Sequence, residues 1–384
     1  MRAYRALLTH ALTLALLVVG TSVPALAATA DWTHPGYGPG NTFVNPAESA
    51  ITARTIADVA LRWSAGLPEV QGGSCSEATP PLVSGGRAFV ADEAGIGAYR
   101  ITTGRQIWHR PWSSPQEART PALAVSGNLL LVGITGCASV TDPGGRILAL
   151  NVATGREKWR FDDGRPVASL LVDRGVVVAD GGSDNFSAQV RAFRVRDGKR
   201  RWALDGYALG ATADGRLLVH RAYRSGVTAV AVTTGRRLWS APIGTRVKAG
   251  ANGRFYVTDG ADLVSLRAAN GSVVWRAPGV EGTIAVDGRR VYHALSNGVD
   301  AWDVRTGLRL WQAGFEGDAG QPVVAGGLVY TTVDAGEPLG ILDAATGAVA
   351  SPATQFPSLD SGHVVLSGGQ LYLIDGHRFS AYAP

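Results

Sequence analysis

Six segments of this chain share one internal spacing, and that spacing restricts what the chain can fold into. They read AYRITTGRQIW from Ala98, ALNVATGREKW from Ala149, AFRVRDGKRRW from Ala192, AVAVTTGRRLW from Ala229, SLRAANGSVVW from Ser265 and AWDVRTGLRLW from Ala301. In each, a turn glycine follows a small residue by six positions and a tryptophan follows it by ten. A recurrence of this kind marks a repeat protein, in which each unit buries its apolar faces against its neighbours.

A second unit lies upstream of each motif, a tight glycine turn followed by an apolar, β-rich run. SGGRAFVAD from Ser84, DGRLLVHRA from Asp214, NGRFYVTDG from Asn252 and DGRRVYHAL from Asp287 are examples. Asp-Gly and Asn-Gly between such runs are hairpin signals, because both central turn residues adopt positive φ. Each repeat therefore reads as strand A, glycine turn, strand B, loop, strand C, Thr-Gly turn and strand D carrying the tryptophan. Four short antiparallel strands recurring every 36 to 51 residues predict propeller blades.

The count predicts eight blades. Anchors at positions 98, 149, 192, 229, 265 and 301 are followed by degenerate ones at Ile341 and Ala381, and Ser351 stands where the seventh tryptophan is due. The eighth copy reaches Pro384 before any Thr-Gly turn or D strand. Near the N-terminus, VALRWSAGL around Trp63 looks like a D strand with no C strand before it. The expectation is an all-β, eight-bladed propeller of four-stranded antiparallel blades, closed by Val59 to Ala65 as the outer strand of blade 8. Closure removes exposed sheet edges.

The motif itself is expected to hold blades together and to do no chemistry. The glycine permits a left-handed turn. The docking tryptophans Trp63, Trp108, Trp159, Trp202, Trp239, Trp275 and Trp311 offer flat surfaces to the neighbouring blade and an N–H for a backbone acceptor. The small residue leaves room for the ring.

The pattern A-x-D-x-x-T-G-x-x-x-W resembles the tryptophan-docking motif of the quinoprotein, or PQQ-like, eight-bladed β-propellers. The stretch from Asp31 to Trp63, with Trp32 and Asn45-Pro46, is also similar to the opening segment of that superfamily. The resemblance covers Asp31 to Pro384. It implies the fold, and it implies either of two functions, because the superfamily includes quinone-dependent alcohol dehydrogenases and an outer-membrane assembly lipoprotein that only binds partners. WD-repeat and kelch readings fit less well. Trp302-Asp303 falls in a C strand without a Gly-His partner, and the Gly-Gly pairs lack kelch spacing.

The resemblance to the dehydrogenases would imply an adjacent Cys-Cys disulfide, a stacking Trp and a calcium site of Glu, Asn and Asp. Cys75 and Cys137 are far apart, no Cys-x-x-Cys-His is present, and no PQQ or calcium ligand transfers by motif. No His pattern supports zinc, and no Gly-x-Ser-x-Gly elbow occurs. The acidic turns at Asp162 and near Asp184 read as solvated loops before calcium sites. Catalytic, cofactor and metal residues are accordingly expected to be none.

What remains is the face carrying the D–A and B–C loops. The longest are Gly66 to Pro81, Arg110 to Pro121, Ile134 to Gly145 and Ala350 to His363, on neighbouring blades 8, 1 and 2, and long loops on a rigid scaffold commonly carry binding. They hold Glu69, Glu77, Trp112, Arg119 and Asp142 as a candidate binding face. They also place Cys75 and Cys137 on one face of adjacent blades, so a disulfide is expected in an oxidising compartment.

Export is expected from the N-terminus. Arg2 and Arg5 precede the apolar run ALTLALLVV, and small residues allow cleavage after Ala27 or Ala30. Residues 1–30 then form a signal peptide and 31–384 the propeller, and loss of Arg2 and Arg5 takes the formal net charge from +5 to +3. Along the chain the basic residues are scattered over the repeats, which argues against nucleic acid and membrane insertion as partners. The reading is an exported, monomeric, non-catalytic binding or scaffold propeller for a protein or small ligand, with a quinone-dependent oxidoreductase or other channel-mouth enzyme as the alternative.

Overall fold

The computed structural model describes residues 31–71, 74–139, 141–220, 226–243, 246–334, 339–357 and 363–384, so the expected signal peptide lies outside the described residues, as does part of the 350–363 loop. The chain forms eight sheets in sequence order around a ring, each a blade of four antiparallel strands, and Val44–Asn45 adds a short parallel strand to the inner edge of blade 7. Blade 1 runs Leu82–Ser84, Arg87–Ala91, Gly95–Arg100 and Gln106–Pro111, and blades 2 to 7 repeat this A-B-C-D order. Blade 8 takes three strands from the C-terminus, His363–Ser367, Gln370–Asp375 and Arg378–Ala383, and its outer strand from Ala60–Gly66. That strand pairs antiparallel with Arg378–Ala383, Trp63 facing Ala381, as the closure expectation required. Among the described residues the one helical element is the 3-10 turn Ile56–Asp58.

The docking motif has a volume logic. The small anchor sits directly across the ladder from its own tryptophan, as in Ala98 with Trp108 and Ser265 with Trp275. Blade 7 inverts the pair, placing Ile341 opposite Ser351. Each tryptophan then crosses to the next blade. Trp159 donates its Nε1–H to Val195 O at 2.8 Å and covers Gly198, and Trp202 donates to Val232 O at 2.9 Å and covers Gly235. Trp63 carries the chain of contacts round the closure, bonding Ile101 O at 2.6 Å and covering Gly104. The Asp or Asn of the motif caps its own turn, as Asp303 Oδ1 accepts from the backbone of Arg305 and Thr306 and from the Thr306 hydroxyl.

Two details depart from the repeat. Trp311 is seated on Gly347, but its Nε1 is buried without a partner, while the Ala344 carbonyl faces the Tyr292 hydroxyl at 3.4 Å. At the blade 7–8 junction, where the tryptophan is missing, Phe356 packs edge-on against Tyr382 with ring centroids 5.1 Å apart. The A–B turns follow expectation in six blades, with both central residues at positive φ. Blade 2 has positive φ only at Gly127, and in blade 6 Asp287 starts a longer loop whose carboxylate caps the N–H of Arg289 and Arg290.

The N-terminal segment does more than lead into the closing strand. Residues 32–45 visit all eight blades in order at the A–B-turn end of the channel. Trp32 exchanges backbone bonds with Val83 of blade 1; Thr33, Pro39, Gly40, Thr42 and Phe43 accept from Val125, Thr212, Gly250, Val286 and Val324. His34 Nε2 accepts from Val172 N–H at 3.1 Å, and Asn45 Nδ2 donates to Leu366 O at 2.8 Å. This strap satisfies the inner edge of the A strands, which would otherwise present unpaired donors to the channel.

Two expected outcomes test this framework. Gly175 and Gly198 both lie at positive φ, but a Cβ on Gly175 meets nothing within 4 Å, whereas one on Gly198 would lie 2.6 Å from the Trp159 ring. Gly175→Ala should cost about 1 kcal/mol of backbone strain and Gly198→Ala about 2–4 kcal/mol in urea unfolding; equal costs would mean the ring is not seated on the turn. Burial lowers the His34 pKa to about 4 from 6.5, so the unfolded chain takes up the proton first. The strap's contribution is intact above pH 6.5 and falls away as pH drops towards 4, by about 3 kcal/mol in all. His34→Gln should flatten the stability slope across that window, and an unchanged slope would assign it to other groups.

Candidate functional site

The strap occupies the turn end of the ring, so the loop end is the face available for a ligand. Its loops are braced. Cys75, in the loop entering blade 1, and Cys137, in the B–C loop of blade 2, form the expected disulfide with Cα atoms 6.5 Å apart. The blade 1–2 connection is threaded beside this bridge, and Cys137 N–H donates to Gln116 O at 3.2 Å. Glu117 accepts from Ser113 and pairs with Arg146; burial opposes its ionisation, but these partners hold its pKa below the ordinary value.

The candidate face divides between surface and support. Glu69 and Glu77 are exposed, and Arg119 is exposed on a backbone anchored to Thr135 O. Trp112 is not a surface contact. It is buried beneath the loop with its Nε1–H donating to Asp92 O at 3.1 Å, so an aromatic in a long loop here serves the loop's own packing. Asp142 accepts from Asn185 Nδ2 at 2.8 Å and Ser183 Oγ at 3.3 Å, tying blade 2 to blade 3. The GGSDN turn is thus a donor to its neighbour, and Asp163 of the other acidic turn pairs with Arg191.

Glu77 belongs to a feature that linear reading did not assemble. A cavity of about 610 Å³ opens on the loop face between blades 7 and 8. Asp318 and Gln321 come from the blade 6–7 connection, Thr332 and Asp334 from the B–C side of blade 7, and His363 from the start of blade 8. Glu77 completes it, and no Lys or Arg is among the described lining residues. Desolvation lowers the His363 pKa from its ordinary value. The acidic positions are isolated in sequence, and only the ring order of the blades brings them together. Beside the cavity, His377 lies between Glu69 and Glu93 at 4.0 and 3.8 Å. Among the described residues no group of three His, Cys, Asp or Glu is arranged to hold a metal ion.

Eight sheets, joined by tryptophan docking at every junction but that of blades 7 and 8, are the architecture the motif implied, and the comparison with known families agrees. The family model described as outer membrane protein assembly factor BamB matches residues 21–138, 135–243, 223–317 and 277–352. The chain belongs to this PQQ-like propeller family. Its curated relatives include both branches. A 1-butanol dehydrogenase (cytochrome c) of Thauera butanivorans is 27% identical over 179 residues, 44% of this chain and 25% of that protein. The BamB of Shewanella oneidensis is 30% identical over 164 residues, 41% of this chain and 39% of that protein. The matches thus span a quarter to two fifths of these relatives. Among solved structures, the quinohemoprotein alcohol dehydrogenase of Comamonas testosteroni superposes with a TM-score of 0.69 at 13% identity, covering 93% of this chain and 81% of that one. BamB of Moraxella catarrhalis does so with 0.61 at 13%, covering 85% and 100%. At that identity the likeness is one of fold.

The PQQ-like propeller of this chain carries its disulfide between loops rather than in the core, and the bridge closes 62 residues. Cys75→Ser with Cys137→Ser should cost about 4 kcal/mol by loop-closure entropy, without loss of the β signature. Thermal melts of the variant and of reduced protein should agree. A melting point unmoved from that of the oxidised chain would show that hydrogen bonds alone brace the face.

Proposed function

We propose that this chain is a non-catalytic binding propeller whose partner docks on the braced loop face and inserts a cationic segment into the cavity between blades 7 and 8. The observation that carries the reading is the lining of that cavity: Glu77, Asp318 and Asp334, with polar Gln321 and Thr332 and no Lys or Arg. A rigid ring with a disulfide-held rim suits docking, because little order has to be gained on association. The assembly-factor relatives support a scaffold role. The disulfide supports export to an oxidising compartment, and no helix among the described residues is long and apolar enough to cross a membrane.

A quinone-dependent oxidoreductase is the second reading, favoured by the dehydrogenase relatives. The residues do not fit its cofactor. PQQ is a tricarboxylate and would meet three carboxylates at this cavity, with no Lys or Arg among the described lining residues. No described group of three acidic or His side chains is arranged to hold a calcium between them. The two cysteines bridge blades 1 and 2 instead of forming an adjacent pair. No chemical step is derived through that group.

Calorimetry separates the two. A lysine-rich decapeptide should bind at low salt, weaken as salt rises, and lose at least tenfold in affinity in the Glu77→Gln, Asp318→Asn, Asp334→Asn variant. Micromolar binding of PQQ with calcium, together with dye-linked alcohol oxidation, would overturn the proposal in favour of the oxidoreductase.

A further inference from the structure

The position just after each C–D turn glycine divides the ring in two. In blades 1 to 4 it holds Arg105, Arg156, Lys199 and Arg236; in blades 5 to 8 it holds Ser272, Leu308, Ala348 and Ala60. All eight are exposed. The next positions sharpen the contrast, with exposed Arg200, Arg201 and Arg237 in the first half and exposed Val273, Leu310 and Val349 in the second. Arg309 and Arg62 are the exceptions in the second half, and Arg62 bonds the backbone of Ala383. Two acidic groups beside the C–D turns of the basic arc are already engaged, Glu157 by Arg110 and Arg160 and Asp197 by Arg194 and Arg196, while Asp173 and Asp214 stand at the A–B turns of blades 3 and 4. None of the four basic residues that open the D strands of blades 1 to 4 forms an ion pair with a described residue. Along the chain these residues are scattered one repeat apart; the ring gathers them onto half of one rim.

We infer that this basic arc seats the propeller on an anionic lipid bilayer surface, with the cavity mouth facing away from it. C–D turns share a face with the A–B turns, and the cavity opens on the opposite face among the D–A and B–C loops. Equivalent points on the rim of a disc are nearly coplanar, so all four basic residues meet a flat surface together. A rod of nucleic acid would touch only part of such an arc. The acidic cavity is repelled by the same surface, so both ends of the molecule favour one orientation. The attraction acts within a Debye length and requires neither a spanning helix nor the cavity's ligand.

Co-sedimentation with vesicles of 30% phosphatidylglycerol in phosphatidylcholine tests the inference on the full propeller. Binding should exceed that to pure phosphatidylcholine at least tenfold at 50 mM salt and vanish at 0.5 M. The variant Arg105→Ser, Arg156→Ser, Lys199→Ser, Arg236→Ser should melt with the wild type and bind the charged vesicles at least tenfold more weakly. Removing Arg305 and Arg309 from the other half in the same way should weaken binding less than threefold. Equal losses in the two variants, no preference for charged vesicles, or tighter binding to a 20-base-pair duplex than to the vesicles would each overturn it.

Discussion

The stacking of one blade's tryptophan on the next blade's turn glycine is the contact on which the ring depends. It joins a wide flat ring to a backbone that has no side chain in the way, and in six of the seven described docking tryptophans it adds an N–H to carbonyl bond to the adjacent turn. The glycine therefore answers two requirements at once. Its positive φ makes the turn, and its missing Cβ admits the ring. Another residue can adopt the positive φ at a cost, as Arg174 and Asn252 do in the A–B turns, but only glycine also leaves the space that the ring fills. The contact reaches forward to the next blade at every junction but that of blades 7 and 8, where Ser351 replaces the tryptophan, and the ring closes only if a tryptophan of blade 8 reaches blade 1. Trp63, delivered by the N-terminal strand, is that link.

The strap is a second, independent closure. It runs along the inner A strands while the tryptophans work at the outer D strands, so each blade is held at both edges. Its conformation is demanding: Tyr37, Asn41 and Phe43 lie at positive φ, and a Cβ on Gly40 would fall 2.3 Å from Gly250 O. Strain of that kind persists only when the surroundings over-determine it, and here successive bonds to the inner strands supply the determination. With one end of the ring lined by the strap, the ligand face proposed above is the other.

Much of this architecture was legible because the docking motif is local. Ala98, Gly104 and Trp108 lie within eleven residues, and their spacing reports a hairpin and an inter-blade contact together. The closure by Trp63 was legible as a surplus D strand. The strap was not, because residues 32–45 are irregular and their partners lie up to 321 residues away, as Asn45 to Leu366 does. The seventh blade shows how a degenerate copy keeps its volume: Ile341 faces Ser351, and the large and small positions have exchanged sides. The cavity was partly legible. Glu77 stood out in a long loop, but Asp318 and Asp334 sit in short connections and are joined to it only by the order of blades around the ring. Trp112 misled for the opposite reason. A tryptophan in a loop suggests a contact surface, yet its N–H finds Asp92 O and its ring is buried.

The same separation explains why one family holds both dehydrogenases and assembly factors. The docking motif constrains C–D turns and D strands, and the strap constrains A strands, all towards one end of the disc. The D–A and B–C loops at the other end answer to neither. That end of this chain carries inter-blade ties of its own, such as Asp180 of a blade 3 strand accepting from Ala208 N–H at 3.0 Å and the loop residue Asp142 accepting from Asn185, so carboxylates there are drawn into scaffolding. Burial raises the Asp180 pKa, while the hydrogen bonds from Ser169 and Ala208 pull the other way. On the proposed reading, the acids that would meet a ligand are those that the scaffold leaves exposed at the cavity, Glu77, Asp318 and Asp334. Membership of the family constrains where such groups can stand, and the side chains standing there decide what the propeller binds.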